Sequence, residues 1–179
     1  MKKISGFKLI GGIESMDIKL PPKEMIVDEI VGKHKIIALS ADTNVGKSIW
    51  AHQLGLAIAV GLPEVFAYKI TEAKRVLFLN FEMDEFELLE RQQLLINALP
   101  KEYHELLDNF QINTFAGNRT LFQDNWDAIE QTICDNDAFD LIIVDNMYAC
   151  TGIDDEKNAD LKSLLKRIIT INDINNSSL

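Results

Sequence analysis

The sequence lacks a disulfide framework, a membrane-spanning segment and an excess of basic charge. It has two cysteines among 179 residues, Cys134 and Cys150, at a spacing that matches no metal motif. No run of about eighteen apolar residues occurs, and Ser5, Gly6 and Lys8 interrupt the first apolar stretch, so the chain carries no predicted transmembrane helix or signal-peptide core. The formal net charge of −10 repels nucleic acid unless a local basic patch exists. We expect a soluble, cytoplasmic protein with reduced thiols.

The chain contains enough apolar residues for the core of one domain. Of 179 residues, 47% are hydrophobic, a length and content that suit one packed core rather than two. Residues 1–35 form a slightly basic lead-in broken by Pro21 and Pro22, and residues 36–179 form the predicted core. The segment KLPPKEMIVDEIVG is predicted to be a loop followed by a short strand or helix that caps a sheet edge.

The stretch IIALSADTNVGKSIWAHQLGLAIAVG combines a predicted strand, a polar turn and a helix. The apolar run Ile36 to Leu39 predicts the strand, and the segment after Lys47 has apolar helical character and ends at Gly61. The turn has the form A-x-x-x-x-G-K-S, which is a phosphate-binding loop with Ala41 in place of the usual first glycine. Backbone N–H groups in such a turn and at the start of its helix favour an anion. The alternative interpretation is a Gly-Lys-Ser tripeptide at an ordinary strand-to-helix turn.

A nucleotide phosphate would use particular side chains of this turn. Lys47 would place its ammonium on the β- and γ-phosphates, and Ser48 would give its hydroxyl to Mg²⁺. The predicted nucleotide-binding residues of the turn and of the first helical residues are Ala41, Asp42, Thr43, Asn44, Val45, Gly46, Lys47, Ser48 and Ile49.

A second strand and helix follow. The apolar run VLFLNF, Val76 to Phe81, is typical of a parallel strand that is covered on both faces. Asp84 and Glu87 have the spacing of a capping box for the next helix. Glu82 therefore follows the carboxyl end of a parallel strand, where ligands bind in open α/β sheets. Two roles remain open for Glu82: it activates a water for attack on the γ-phosphate, or it is an acid that the helix dipole favours.

The remaining pattern repeats strand and helix. FQINTF, Phe110 to Phe115, predicts a third strand, and a buried helical stripe follows it, formed by Trp126, Ile129 and Ile133. FDLIIVD, Phe139 to Asp145, is an apolar strand that ends in aspartate about one hundred residues after Lys47. Asp145 is the predicted carboxylate on the Mg²⁺ side. A polar loop over residues 146–157 and an amphipathic helix from residue 158 are predicted next. We expect an α/β fold with a mostly parallel sheet between two helical layers.

These residues resemble the RecA-like ATPase core of the DnaB and RepA type hexameric helicases. KLPPKEMIVDEIVGKHKIIALSA is similar to the lead-in of the RepA-like group, and an alanine that opens the phosphate loop is familiar in DnaB-like enzymes. FEMDEFELLER is similar to their E-M-x-x-x-x-L-x-x-R pattern, with Glu82 in the position of the catalytic glutamate and Arg91 matching the arginine. LIIVDN is similar to their second nucleotide signature, and NADLKSLLKRI is similar to the helix after it.

The resemblance implies a P-loop NTPase fold, binding of ATP with Mg²⁺, assembly into a homo-oligomer that is a hexamer in the family, and action on single-stranded DNA. It places Arg91 with the nucleotide-binding residues. The family's γ-phosphate sensor and arginine finger would follow Leu179, so we expect a front part of the core that hydrolyses ATP very slowly alone. Two other functions remain open: a nucleotide-dependent regulatory switch without motor activity, and a catalytically silent fragment.

Overall fold

The structure of the chain, a computed structural model, describes residues 10–42, 45–114, 122–146 and 166–171. Its helices are α1 (Gly12–Asp17), α2 (Lys47–Val60), α3 (Glu85–Asn97) and α4 (Phe122–Asp135), with a 3₁₀ helix at Lys101–Asn109 and a helical segment over 166–171. Its strands are β1 (Met25–Val27), β2 (Val31–Gly32), β3 (Glu64–Val65), β4 (Tyr68–Lys69), β5 (Val76–Asn80), β6 (Phe110–Thr114) and β7 (Leu141–Asp145). None of the described helices is long and apolar enough to cross a membrane.

The central sheet is parallel and has the strand order β6-β5-β7. Val76 lies opposite Phe110 and Leu141, and Asn80 lies opposite Thr114 and Asp145. The carboxyl ends of all three strands therefore meet at one edge of the sheet. The three strands that the sequence predicts at these positions are confirmed, and so is the α/β fold with a parallel sheet.

Strand β5 is buried along its whole length because helices cover both faces of the sheet. Val76 and Phe78 belong to the hydrophobic cluster that includes helix α2, whereas Leu77 and Leu79 belong to the cluster that includes Trp126 of α4. Side chains alternate between the two faces of a strand, so a strand with two covered faces needs apolar residues at every position. This requirement explains the continuous apolar run from Val76 to Leu79, which ends at the buried polar residue Asn80.

Helix α2 packs closely against this sheet. A Cβ atom at Gly55 would lie 2.8 Å from Cε2 of Phe110 and 2.9 Å from Cδ1 of Ile143, so only glycine allows this approach. From Leu54 to Val60 every residue of α2 is buried. The close contact fixes the start of α2, and with it the phosphate-loop turn, relative to the strand ends.

The predicted strand from Ile36 to Leu39 is wrong. Residues 35–40 form no strand, and Ile36, Ile37 and Leu39 are 53%, 52% and 53% exposed. A strand needs a neighbour to accept its backbone hydrogen bonds. Within the described part of the chain, β7 pairs only with β5, and no strand pairs with residues 36–39. An apolar run alone therefore did not suffice to form the strand.

Two small hairpins complete the face on which α2 lies. Strands β1 and β2 pair antiparallel, as do β3 and β4, and Val27 bridges to Ile70. Ile26, Val27 and Val31 are buried in the α2 cluster, so the segment after Pro22 contributes to the core. The predicted loop over 147–157 lies outside the described residues. Only residues 166–171 of the last predicted helix are described, and they are helical.

Candidate functional site

The phosphate-loop turn leads directly into helix α2. Gly46 precedes the helix with a φ of 89°, a left-handed conformation that favours glycine. The Lys47 ammonium donates to the backbone oxygen of Ala41 at 2.7 Å and to that of Asp42. Lys47 is thus held by carbonyl groups of its own loop, and binding a phosphate there requires it to exchange them for phosphate oxygens.

The start of α2 contacts the end of strand β7. The Ser48 hydroxyl donates to Oδ1 of Asp145 at 3.1 Å. Asp145 is buried, and its Oδ2 has no hydrogen-bond partner among the described residues. A buried carboxylate oxygen without a partner is costly in a fold. It therefore indicates that a further group is to bind here.

Burial and nearby charged groups shift the pKa of Asp145 in both directions, with a net increase. Burial raises this pKa, the hydrogen bond from Ser48 lowers it, and the negative charge of Glu82 raises it. The positive charges of Arg91 and Lys47 lower it. Two acids, a lysine, an arginine and a hydroxyl thus lie close enough together to influence one carboxyl group.

Glu82 is held at the same edge of the sheet. The Phe81 amide donates to the Asp145 backbone oxygen at 2.7 Å, so the chain beyond β5 still runs beside β7. The Asn146 side-chain amide donates to Oε2 of Glu82 at 2.7 Å. Glu82 is itself exposed, and one of its carboxylate oxygens is therefore oriented by the residue that follows Asp145.

Asn80 shapes the turn that carries Glu82. Its side chain is fully buried; Nδ2 donates to the Met83 backbone oxygen at 2.6 Å, and Oδ1 accepts from the Met83 amide at 3.1 Å. The Glu82 amide also donates to Oδ1, at 3.4 Å. An asparagine that bonds the backbone two and three residues later is a built-in turn. Asn80 therefore sets the direction in which the chain leaves β5.

Helix α3 brings Arg91 to the site. The helix starts at Glu85, and the Asp84 side chain caps it by accepting from the Glu87 amide at 2.8 Å, which confirms the predicted cap. Arg91 lies in the middle of the helix, and its Nη1 is buried without a hydrogen-bond partner among the described residues. The positive charge of Arg91 lowers the pKa of both Asp145 and His52.

The arrangement fits a phosphate and a hydrated divalent cation. A hydroxyl and a carboxylate lie side by side at Ser48 and Asp145, and oxygen ligands are those that Mg²⁺ prefers. No group of three or more His, Cys, Asp or Glu side chains within the described ranges could enclose a metal. A cation at Ser48 and Asp145 would therefore take most of its ligands from water and phosphate, as Mg²⁺ does at nucleotide sites.

The structure brings together five of the residues that the sequence singles out: Lys47, Ser48, Glu82, Arg91 and Asp145. Ala41 and Asp42 contribute backbone oxygens. Val45 and Ile49 are 61% and 45% exposed. Thr43 and Asn44 lie outside the described residues.

Sequence reasoning missed four polar residues around the site: Asn80, Asn146, His52 and Gln92. A signal existed for three of them. Asn80 interrupts the apolar run VLFLNF, His52 lies in an apolar helix, and Gln92 lies four positions after the buried Leu88. A polar residue at a position predicted to be buried needs a partner, and that need marks it for attention.

Comparison with known proteins agrees with this geometry. A family model described as AAA domain matches residues 13–176. A search of curated proteins found no match. The matched range includes the phosphate-loop turn, both acid-bearing strand ends and Arg91. The chain therefore belongs to the AAA domain family of P-loop proteins, and this membership implies that it binds nucleotide.

Proposed function

We propose that this chain binds ATP with Mg²⁺ at the phosphate-loop turn and hydrolyses it. The observation that carries the proposal is the convergence of Lys47, Ser48, Glu82, Arg91 and Asp145 at one end of the parallel sheet. Phosphoryl transfer is catalysed mostly by positioning and by stabilising charge, and these residue types supply both.

Binding uses the start of α2. Lys47 exchanges the carbonyls of Ala41 and Asp42 for phosphate oxygens, and the first N–H groups of α2 add the positive end of the helix dipole. Ser48 and Asp145 hold Mg²⁺, directly or through water. When bound, the ion neutralises charge on the β- and γ-phosphates.

Hydrolysis uses Glu82 as the general base. Asn146 fixes Oε2 of its carboxylate by a hydrogen bond, and the other oxygen orients and deprotonates a water. Arg91 supports the negative charge of the phosphates. The resemblance implies an additional arginine from a neighbouring subunit, which contributes roughly 10³–10⁵ in rate in related enzymes, so a single chain is expected to turn over slowly.

We further propose that the ATPase belongs to a helicase-like replication protein that acts on single-stranded DNA. The similarity of FEMDEFELLER to the helicase pattern supports this role. A regulatory switch without motor activity is the second candidate, and the net charge of −10 favours it because phosphate backbones are repelled.

The first experiment tests nucleotide binding. Isothermal titration of ATP with Mg²⁺ compares the wild type with Lys47→Ala, and with Lys101→Ala as an exposed control at the start of the 3₁₀ helix. We expect Lys47→Ala to lose most of the affinity and Lys101→Ala to keep it. Equal affinity in all three proteins would end the proposal.

The second experiment separates the motor from the switch. Binding of a fluorescent oligothymidylate is titrated against salt, because each phosphate contact adds to the slope of log affinity on log salt. A motor predicts binding at low salt with a steep slope. Absence of binding at low salt, with ATP affinity intact, would favour the switch.

A further inference from the structure

A layer of polar side chains, formed by His52 and Gln92, lies between helices α2 and α3. His52 of α2 is fully buried, and its Nε2 is hydrogen-bonded to Oε1 of Gln92 in α3. The inner positions of α3 follow helical spacing, with Leu88 buried and Leu95 half-buried on either side of Gln92. The bond thus joins the two helices one turn beyond the phosphate-binding residues of α2.

The His52 ring is fixed from its other side by aromatic residues. It stacks on Phe78 with ring centroids 4.9 Å apart, and Phe110 lies 5.4 Å away. Both aromatics belong to the central sheet, Phe78 to β5 and Phe110 to β6. His52 therefore links Gln92 to the sheet. This link fixes the position of Gln92 and the rotation of α3 about its axis.

Arg91 precedes Gln92 on α3. The positive charge of Arg91 lowers the pKa of both His52 and Asp145. Its Nη1 is buried without a hydrogen-bond partner in the described part of the chain. A buried guanidinium nitrogen without a partner costs free energy, so something must hold Arg91 in place. The neighbouring hydrogen bond from His52 Nε2 to Oε1 of Gln92 is a contact that can do so.

We propose that the hydrogen bond between His52 and Gln92 is a positioning contact that holds Arg91 toward Asp145 and the phosphate loop. The inference rests on the function proposed above and adds two residues to it. Neither His52 nor Gln92 has a contact with nucleotide in that function, so both act through Arg91. The alternative is that the pair only stabilises the packing of the two helices.

The test is a double-mutant cycle on affinity for ATP with Mg²⁺, measured by titration calorimetry on the whole chain. Gln92→Leu is made in the wild type and in an Arg91→Gln background, and Gln93→Leu serves as the exposed control on the same helix. We expect Gln92→Leu to weaken binding about tenfold in the wild type, which is within the range of measured couplings between contacting residues. In the Arg91→Gln background we expect less than about a twofold effect, as for independent sites.

A second variant protects the test against misfolding. The exchange His52→Gln with Gln92→His keeps two side chains that bond across the same gap, and we expect it to recover at least about half of the affinity lost in Gln92→Leu. Thermal unfolding of every variant separates a loss of fold from a loss of positioning.

Two outcomes would overturn the inference: an equal loss of affinity in both backgrounds, or a lower unfolding temperature for Gln92→Leu with unchanged affinity. Absence of ATP affinity in the wild type would instead remove the proposed function on which the inference rests.

Discussion

The two ends of the central sheet carry similar numbers of charged side chains but differ in how completely these charges are paired. At the amino ends of β5 and β7, opposite charges are paired with one another. Lys74 is hydrogen-bonded to Glu72 and lies 3.7 Å from Asp140, and the Arg75 amide donates to Asp140 at 3.1 Å. The Arg75 guanidinium also lies 4.8 Å from the centre of the Phe139 ring. These contacts fix the strands in register and leave little for a ligand to bind.

At the carboxyl ends charges of both signs are present, the acids Glu82 and Asp145 with Lys47 and Arg91, but their pairing is incomplete. Glu82 and Asp145 are both acids, and the charge of Glu82 raises the pKa of Asp145. Asp145 Oδ2 and Arg91 Nη1 are buried without hydrogen-bond partners among the described residues. A fold that only needed stability would pair these groups as it does at the other end. The carboxyl end of the sheet therefore gives up stability for binding, whereas the amino end is built for stability.

Glu82→Gln is expected to have the largest effect. It removes the proposed general base but keeps the shape of the side chain, so ATP hydrolysis should fall by roughly 10²–10⁴-fold while ATP affinity is retained. Glu85→Gln is the matched control, since Glu85 is an exposed acid in the first turn of α3. Hydrolysis is measured as the release of phosphate from ATP, with the single chain or with its oligomer, depending on which of the two hydrolyses ATP. Equal rates in the two variants would identify Glu82 as another helix-dipole acid.

Asp145→Asn and Asp140→Asn should change the protein in opposite ways. Asparagine at 145 keeps an acceptor for Ser48 but removes the charge, so Mg²⁺ affinity in the presence of ATP should fall by about 10–100-fold. Burial raises the pKa of Asp145, which means that its ionised form destabilises the fold at neutral pH. The unfolding temperature without nucleotide should therefore rise in Asp145→Asn.

Asp140→Asn should show the reverse pattern, because it weakens the contact with Lys74 and leaves the nucleotide end unchanged. Calorimetric unfolding and Mg²⁺ titration of both variants check the pair. The contrast between the two sheet ends would be lost if Asp145→Asn were the less stable variant and Asp140→Asn the weaker binder.

Asn80→Ala tests whether the turn after β5 positions Glu82. The substitution removes the acceptor of the Met83 amide and the donor to the Met83 oxygen, which should cost about 1–3 kcal/mol in the free energy of unfolding. Hydrolysis should also fall by about tenfold, less than the roughly 10²-fold that a 1 Å misplacement can cost. Asn113→Ala, at an exposed position of β6, is the control. A stability loss with unchanged turnover would restrict Asn80 to a structural role.

Much of the site was predictable because its residues follow strong local signals. Gly46, Lys47 and Ser48 form a motif that depends on backbone geometry, and the runs ending at Phe81 and Asp145 show the continuous apolar pattern of strands with two covered faces. Parallel strands end at one edge of a sheet, so acids after two such runs were expected to lie close together. The hydrogen bond from Ser48 to Asp145 agrees with that reasoning.

The misses have physical reasons. Residues 36–39 have a strand-like composition, but composition does not supply the neighbouring strand that their backbone needs. The β3–β4 hairpin turns at Phe66 and Ala67 with φ of 52° and 68°, conformations that glycine or asparagine would normally signal. Phe66 packs on Trp50 of helix α2, with ring centroids 5.2 Å apart, and this contact stabilises the turn. Trp50 is far from the turn in the sequence, so the local sequence does not predict the contact.

The smallest expected effect is a dependence of stability on pH that comes from His52. Burial lowers the pKa of His52, the Gln92 hydrogen bond raises it, and the charge of Arg91 lowers it, with a net decrease from 6.5. The unfolded chain then binds a proton below about pH 6.5 that the folded chain resists. Stability is full above that pH and falls below it, by at most about 1.4 kcal/mol per pH unit for one group.

His52→Gln keeps a polar side chain but cannot titrate, so chemical denaturation between pH 5 and 7 should show a flatter profile than the wild type. His104→Gln, at an exposed position of the 3₁₀ helix, should leave the profile unchanged. The raised pKa of Asp145 acts in the opposite direction as the pH falls, since protonation then favours the folded state. The difference between the wild type and His52→Gln isolates the histidine. Parallel profiles would show that His52 is not held neutral by burial, and that the polar layer between α2 and α3 is open to solvent.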